Sequence, residues 1–204
     1  MTAAATIRLA TAADSQAVAA IYAPHVTASA TSFEVEAPDG AEIAHRIEET
    51  QRTHAWLVWQ DAGGIGGYAY GSKHRARAAY QWSAEVSVYV GERFRRRRIG
   101  QALYTSLFHV LAAQHFVTAY AGITLPNVAS VALHESLGFV PVGVYRHIGF
   151  KMGAWHDVGW WQRPLQPRPS SPAPPRPIAE LAAGELTALL ATGVPVARPA
   201  ADRV

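Results

Sequence analysis

Residues 82–111 read Trp82-Ser-Ala-Glu-Val-Ser-Val-Tyr-Val90, then Gly91-Glu-Arg-Phe-Arg-Arg-Arg-Arg98, then Ile99-Gly-Gln-Ala-Leu-Tyr-Thr-Ser-Leu-Phe-His-Val-Leu111. In the first piece Ala84, Val86, Val88 and Val90 alternate with Glu85, Ser87 and Tyr89, which puts the apolar set on one face of a strand. In the last piece Ile99, Leu103, Leu107, Val110 and Leu111 recur at the spacing of a helix of about four turns. An arginine-rich loop joins the two. The first amides of a helix have no acceptor within it, so a strand–loop–helix unit presents free N–H groups to whatever stands before the helix.

On the N-terminal side, residues 6–10 predict a first strand, and Asp14 the N-cap of a helix reaching about Val26 with Val18, Ile21 and Tyr22 inward. A second helix fits 40–52, through Ile43 and Ile47. Residues 56–60 and 66–71 make two strands around the turn Asp61-Ala62-Gly63-Gly64. On the C-terminal side 116–123 predicts a strand, and Asn127 opens a helix that Gly138 ends. Two strands near 142–151 and 155–162 then form a hairpin turning at Gly153-Ala154. Such alternation implies an α/β domain with a mixed sheet.

Composition changes after Leu165: residues 164–177 hold seven prolines among Arg, Ser and Gln, which excludes a helix or an inner strand. The expected organisation is a compact domain at 1–165 and a Pro-rich linker with a short tail at 166–204. Within that tail, 178–190 predicts a helix displaying Leu181, Leu186, Leu189 and Leu190.

Half of the 204 residues are apolar and 16% are charged, the balance of a globular chain. There is no cysteine, which excludes a thiol nucleophile, a disulfide framework and thiolate metal sites. No basic stretch followed by an apolar run opens the sequence, and no segment has the roughly 18 apolar residues of a membrane span. A cytoplasmic protein without a membrane partner is expected. The nine histidines show no metal-ligand spacing, so no metal is expected. Much of the basic character sits at Arg93 and Arg95–Arg98. Such a run is a solvated loop, a nucleic-acid patch or the seat of a specific anion. Its place directly after an apolar strand favours a pyrophosphate or ribose phosphate.

Three ordered segments resemble the core motifs of the GNAT superfamily of N-acetyltransferases: Glu85-Val-Ser-Val-Tyr-Val90, Arg95-Arg-Arg-Arg-Ile-Gly100, and Asn127-Val-Ala-Ser-Val-Ala-Leu-His-Glu-Ser-Leu-Gly-Phe139. Within it, residues 6–162 are similar to the phosphinothricin (bialaphos-resistance) and methionine sulfoximine acetyltransferases, including Ala79-Tyr-Gln-Trp82 and Trp155-His-Asp-Val-Gly159. The resemblance implies a mostly antiparallel central sheet flanked by helices, a homodimer, and direct acetyl transfer from acetyl-CoA to an amine. It implies that the backbone at Val88, Tyr89 and Val90 holds the pantetheine arm. The phosphates then fall to Arg96, Arg97, Arg98, Ile99, Gly100 and Gln101, and Asn127 also holds CoA. The family signature has glycine where this chain has Arg98. Glycine serves a positive φ or a close backbone approach. With arginine there, residues 96–101 are expected to use helical angles, leaving the Arg98 side chain beside the ribose 3′-phosphate.

Acetylating an amine needs the neutral amine, and a free α-amino group has a pKa of about 8. A base must take a proton, and an acid can return one to the departing thiolate. Glu85 interrupts an apolar strand; composition makes it an exposed glutamate, whereas the resemblance makes it the base. Asn127, Ser130 and His134 share one helix face by their spacing. Asn127 is equally a helix cap, and a lone helical histidine is usually a surface residue; the resemblance makes His134 the general acid. Arg75, Arg77 and Tyr80 are either an ordinary basic loop or the holders of a carboxylate or phosphinate. Phe33 is either a core residue or a wall of the acceptor site, where the resemblance puts all four. His156 reads as a packing or dimer-contact residue.

The expected reaction is N-acetylation of a small anionic amino-acid analogue, phosphinothricin first. Methionine sulfoximine or sulfone and a peptide N-terminus are the alternative acceptors. A non-catalytic CoA- or nucleic-acid-binding module would bind nucleic acid with strong salt dependence. Glu85 and His134 argue against that reading, and no nucleic-acid partner is expected.

Overall fold

In the computed structural model, which describes residues 5–194, seven strands form one sheet. They are β1 (Thr6–Leu9), β2 (Trp56–Asp61), β3 (Gly64–Lys73), β4 (Ser83–Val90), β5 (Thr118–Leu125), β6 (Val140–Lys151) and β7 (Ala154–Pro164). Their spatial order is β1-β2-β3-β4-β5-β7-β6. Every neighbouring pair is antiparallel except β4 and β5. That parallel pair spans only Ser83–Glu85 against Thr118–Tyr120, and beyond Glu85 the two strands part. This is the mixed, mostly antiparallel sheet expected, with helices on its faces.

Side-chain alternation assigns the faces. In β2, Leu57 and Trp59 join the core under α3 (Ile99–Ala113), while Trp56 and Val58 join the core under α1 (Ser15–Thr27) and α2 (Gly40–Gln51). In β4, Ala84 and Val86 are buried on the α3 side, and Tyr89 packs on the α1–α2 side. Leu103, Leu107, Val110 and Leu111 of α3 are fully buried, each contributing about 1.5–3 kcal/mol of apolar burial.

Local chemistry moves several boundaries. Asp14 does not cap α1 with its side chain. Its carboxylate turns back instead, accepting from Arg8 Nη1 at 2.7 Å, Arg8 Nη2 at 2.8 Å and the Thr11 amide at 2.8 Å. An arginine within reach outcompetes the weak pull of a helix amide. Phe116 is not yet strand. Its amide donates to Leu111 O while the His115 amide donates to Ala112 O, and His115 has φ 73°, so both residues finish a Schellman cap on α3. The same motif ends α4 (Val128–Ser136) at Gly138, as its glycine predicts. The last hairpin turns one residue early, at Met152 (φ 52°) and Gly153 (φ 77°), with Lys151 paired to Ala154. Two left-handed residues suit the twist of a two-residue hairpin.

The segment after Leu165 lies along α3. Trp82 Nε1 donates to Ala173 O at 2.7 Å, and Gln114 Nε2 donates to Arg176 O at 3.0 Å. Arg176 Nε donates to Ala113 O at 2.9 Å, where the last carbonyls of a helix need partners. The expected single helix over 178–190 divides into a 3-10 turn, Ile178–Glu180, and α5 (Ala183–Ala191). Ile178 and Leu181 are buried in the α3 core. Residues 195–204 of the expected tail lie outside the described residues.

Candidate active site

Where β4 and β5 separate, a narrow slot of ≈ 60 Å³ opens. Ser87, Val88 and Tyr89 line it from β4 and Gly122 and Thr124 from β5, with Asn127, Ser130 and His134 on α4 opposite. Glu85 does not line the slot; it directly precedes Val86, which does, and is the last β4 residue with a β5 partner. The open end leads along Val90 to the first turn of α3, where Gly100 packs against Leu133, Val88 and Val90. Ala102 is the first α3 amide to bond back into the helix, to Arg98 O at 3.0 Å, which leaves the amides of Ile99, Gly100 and Gln101 for a ligand.

The loop before α3 departs from the expected angles. Arg98 adopts φ 59°, ψ 18°, and Arg96 has φ 62°, both left-handed. The expectation of helical angles at Arg98 is therefore corrected. Arginine accepts the conformation that glycine ordinarily supplies, although the Cβ clash costs about 1–2 kcal/mol per residue. The surrounding side chains supply a hold. Arg97 Nη2 donates to Asp61 Oδ2 at 2.7 Å, and its guanidinium lies 5.2 Å from the Trp59 ring and 5.3 Å from Phe94. Arg93 Nη2 donates to Gly63 O at 2.7 Å. The Arg97 side chain is thus committed to the β2–β3 turn. Arg96 and Arg98 remain exposed.

Glu85 is half-buried, and desolvation raises its carboxyl above the ordinary range while the Arg75 charge pulls the other way. His74 Nδ1 lies 3.5 Å from Glu85 Oε2. His134 is 4% exposed. Its Nδ1 is 2.7 Å from Ser130 O, and the carbonyl can only accept, so the ring donates there. Nε2 of the neutral ring then accepts from the Tyr104 hydroxyl at 3.1 Å. Burial lowers the His134 pKa, so the ring facing the slot is neutral near pH 7 rather than a ready cationic acid. Asn127 caps α4, its Oδ1 accepting from the Ser130 amide at 3.1 Å, and its amide nitrogen remains as a donor.

The acceptor residues are brought together only in part. Arg75 reaches the site: its Nη2 donates to Tyr145 OH at 3.3 Å, and its guanidinium lies 5.5 Å from the Trp160 ring. Phe33 sits against Gly149, where any side chain would collide with its ring, and 6.2 Å from the His156 ring. Arg77 and Tyr80 bracket an exposed 3-10 turn, Tyr80 N donating to Arg77 O, and neither lines the slot. Sequence reasoning missed Tyr104, His74 and Thr31. Tyr104 carried a signal, a hydroxyl within an apolar helix face that requires a partner. The other two had none, because a slot residue's neighbours come from distant elements. Among the described residues no group of three His, Cys, Asp or Glu side chains is placed to hold a metal.

A strand pair that opens beside a free helix N-terminus, with a half-buried carboxylate next to the opening, is an arrangement able to hold an extended ligand between β4 and β5. The Acetyltransferase (GNAT) domain family matches residues 7–160, and the chain belongs to that family. It is an acyltransferase. Phosphinothricin N-acetyltransferase of Streptomyces viridochromogenes is 42% identical over 84% of this chain and 92% of that protein. The L-methionine sulfoximine/L-methionine sulfone acetyltransferase of Pseudomonas aeruginosa is 32% identical over 82% of this chain and 99% of its own length. Among solved structures, a phosphinothricin acetyltransferase from Sinorhizobium meliloti in complex with acetyl-CoA superposes with a TM-score of 0.75 at 36% identity, covering 79% of this chain and 88% of that one.

Proposed function

We propose that this enzyme acetylates the amino group of a small anionic amino-acid analogue, phosphinothricin foremost, with Glu85 as the base. The observation that carries the reading is the slot between β4 and β5, which starts at Val86, one residue past Glu85, and includes Val88, against which the first turn of α3 packs at Gly100. It gives an amine and a thioester one meeting point beside a desolvated carboxylate. Glu85 takes the proton of the acceptor ammonium, and the neutral amine attacks the thioester carbonyl. As the C–S bond breaks the nitrogen gives up its second proton, and the departing thiolate gains one from the hydrogen-bonded Tyr104 and His134, which that second proton replaces. The β4 backbone at Val88–Val90, Asn127 and the amides of residues 96–101 hold CoA.

Arg75, whose guanidinium reaches Tyr145 and Trp160, selects the acceptor's anionic head group. Acetylation removes the amine's charge and so inactivates a toxic analogue, which makes resistance the biological role. Residues 1–165 form the catalytic unit and 166–204 an accessory strap and tail. No helix among the described residues is long and apolar enough to cross a membrane, in keeping with a cytoplasmic enzyme. A homodimer forms through β6, a twelve-residue edge strand that exposes Val140, Val142, Val144, Tyr145, Ile148 and Phe150. Unpaired apolar edges of that length are ordinarily covered. The phosphate loop binds CoA and no nucleic acid.

The test is steady-state thiol release from acetyl-CoA with phosphinothricin, methionine sulfone, methionine sulfoximine and a neutral amino-acid amide. Phosphinothricin should show the highest kcat/KM. Preference for the sulfone or sulfoximine would move the substrate, and preference for the neutral amide would remove the anion-selecting role of Arg75.

A further inference from the structure

We infer that His74 is a positioning residue for Glu85, donating its Nδ1–H to the carboxylate and so keeping the base ionised and aimed along the slot. The inference rests on the reading of Glu85 as the base. His74 sits at the end of β3, one residue past Lys73, and its ring is clamped. It stacks on Tyr120 of β5 with centroids 4.4 Å apart at 9°, and meets Trp160 of β7 edge-on at 5.5 Å. The clamp fixes the ring plane and leaves Nδ1 buried with no hydrogen-bond partner. The acceptor facing it is Glu85 Oε2 at 3.5 Å. A buried ring nitrogen without a partner is costly, and catalytic hydrogen bonds that are long in a free enzyme commonly shorten when substrate fills the site.

The other titratable or charged groups around the pair are Arg75 on the same loop, Tyr70 on β3, Tyr104 on α3, and Tyr120. Arg75 favours an ionised Glu85 and, together with burial, a neutral His74. Burial pushes Tyr70 and Tyr104 upward, away from neutral pH. A neutral ring with its proton on Nδ1 is then the form that suits the carboxylate. Because a hydrogen bond to the charged form lowers a carboxyl pKa, its loss should raise that of Glu85.

His74→Phe retains the flat ring against Tyr120 and Trp160 and removes both nitrogens. His74→Asn restores a donor near the position of Nδ1. In His74→Phe, kcat/KM for the acceptor at pH 7 should fall roughly tenfold, and the acid limb of its pH profile should move up by about half a unit or more. The KM for acetyl-CoA should stay put, and His74→Asn should recover most of both losses. An acid limb unmoved in His74→Phe, or an Asn variant no better than the Phe variant, would overturn the inference. Glu85→Gln assayed alongside separates the two readings. If it keeps wild-type turnover, the base assignment falls; if it is inactive while His74→Phe matches wild type, only the role of His74 falls.

Discussion

In the proposed reaction the two ends of β4 act by different physics. At Glu85 the strand is paired on both sides, to Ser72 of β3 and Tyr120 of β5, and the carboxylate is partly shielded from water. Five residues later β4 has a partner only in β3, and the chain enters an exposed loop of arginines. The first end works by desolvation: burial raises Glu85 and makes a weak base stronger. The second works by geometry and charge. Two left-handed arginines turn the chain into α3, and Arg93 and Arg97 tie the turn to the β2–β3 hairpin. Damage at the first end should therefore appear in turnover, and damage at the second in CoA binding.

The sharpest break comes from Glu85→Gln, which keeps the shape and removes the base. Turnover near neutral pH should drop by roughly 100-fold or more, with the acetyl-CoA KM little changed. Because burial raises this carboxyl, wild-type activity should fall with decreasing pH through a midpoint above the usual glutamate value of about 4.3. A pH–rate series over pH 5 to 9 measures both. If the variant loses CoA affinity instead of turnover, the division between the two ends is wrong.

Asp61→Asn tests the other end without touching the ligand. Arg97 loses its ionic partner, and the loop loses one of its ties. The acetyl-CoA KM should rise about fivefold, the upper scale of one exposed ion pair, while kcat holds. S-acetyl-N-acetylcysteamine, which lacks the phosphates, should be used equally well by both proteins. An equal loss with the short donor would mean that Asp61 supports the whole fold.

The smallest effect is expected from Arg98→Gly, which relieves the left-handed strain at that position. Relief of about 1 kcal/mol should raise the melting temperature by roughly 2–4 °C, offset in part by the greater unfolded-state freedom of glycine. Thermal unfolding of the purified variant reads this directly. A lower melting temperature would mean that the Arg98 side chain, rather than the backbone, matters to the loop.

Much of this architecture was legible because it is local. Alternation from Ser83 to Val90 and the apolar spacing from Ile99 to Leu111 each mark an element without reference to the rest of the chain. Gly138 announced the end of α4 because a left-handed cap favours glycine. Where a cap used His115 or a hairpin used Met152, no such mark existed, and boundaries slipped by one or two residues. Asp14 was misjudged because its preferred partner, Arg8, sits on another element.

The sequence by itself determined the strand–loop–helix unit, the order of the elements and the family, since each follows from periodicity or an ordered motif within a short window. Only the tertiary structure decided which arginines are free and which are engaged. It alone set His74 against Glu85 and Tyr104 against His134, and opened the slot between β4 and β5. Those outcomes depend on distances between residues far apart in the chain, 36 positions for Asp61 and Arg97 and 70 for Arg75 and Tyr145. Side-chain hydrogen bonds and burial act through space, and no local pattern encodes which distant group will arrive.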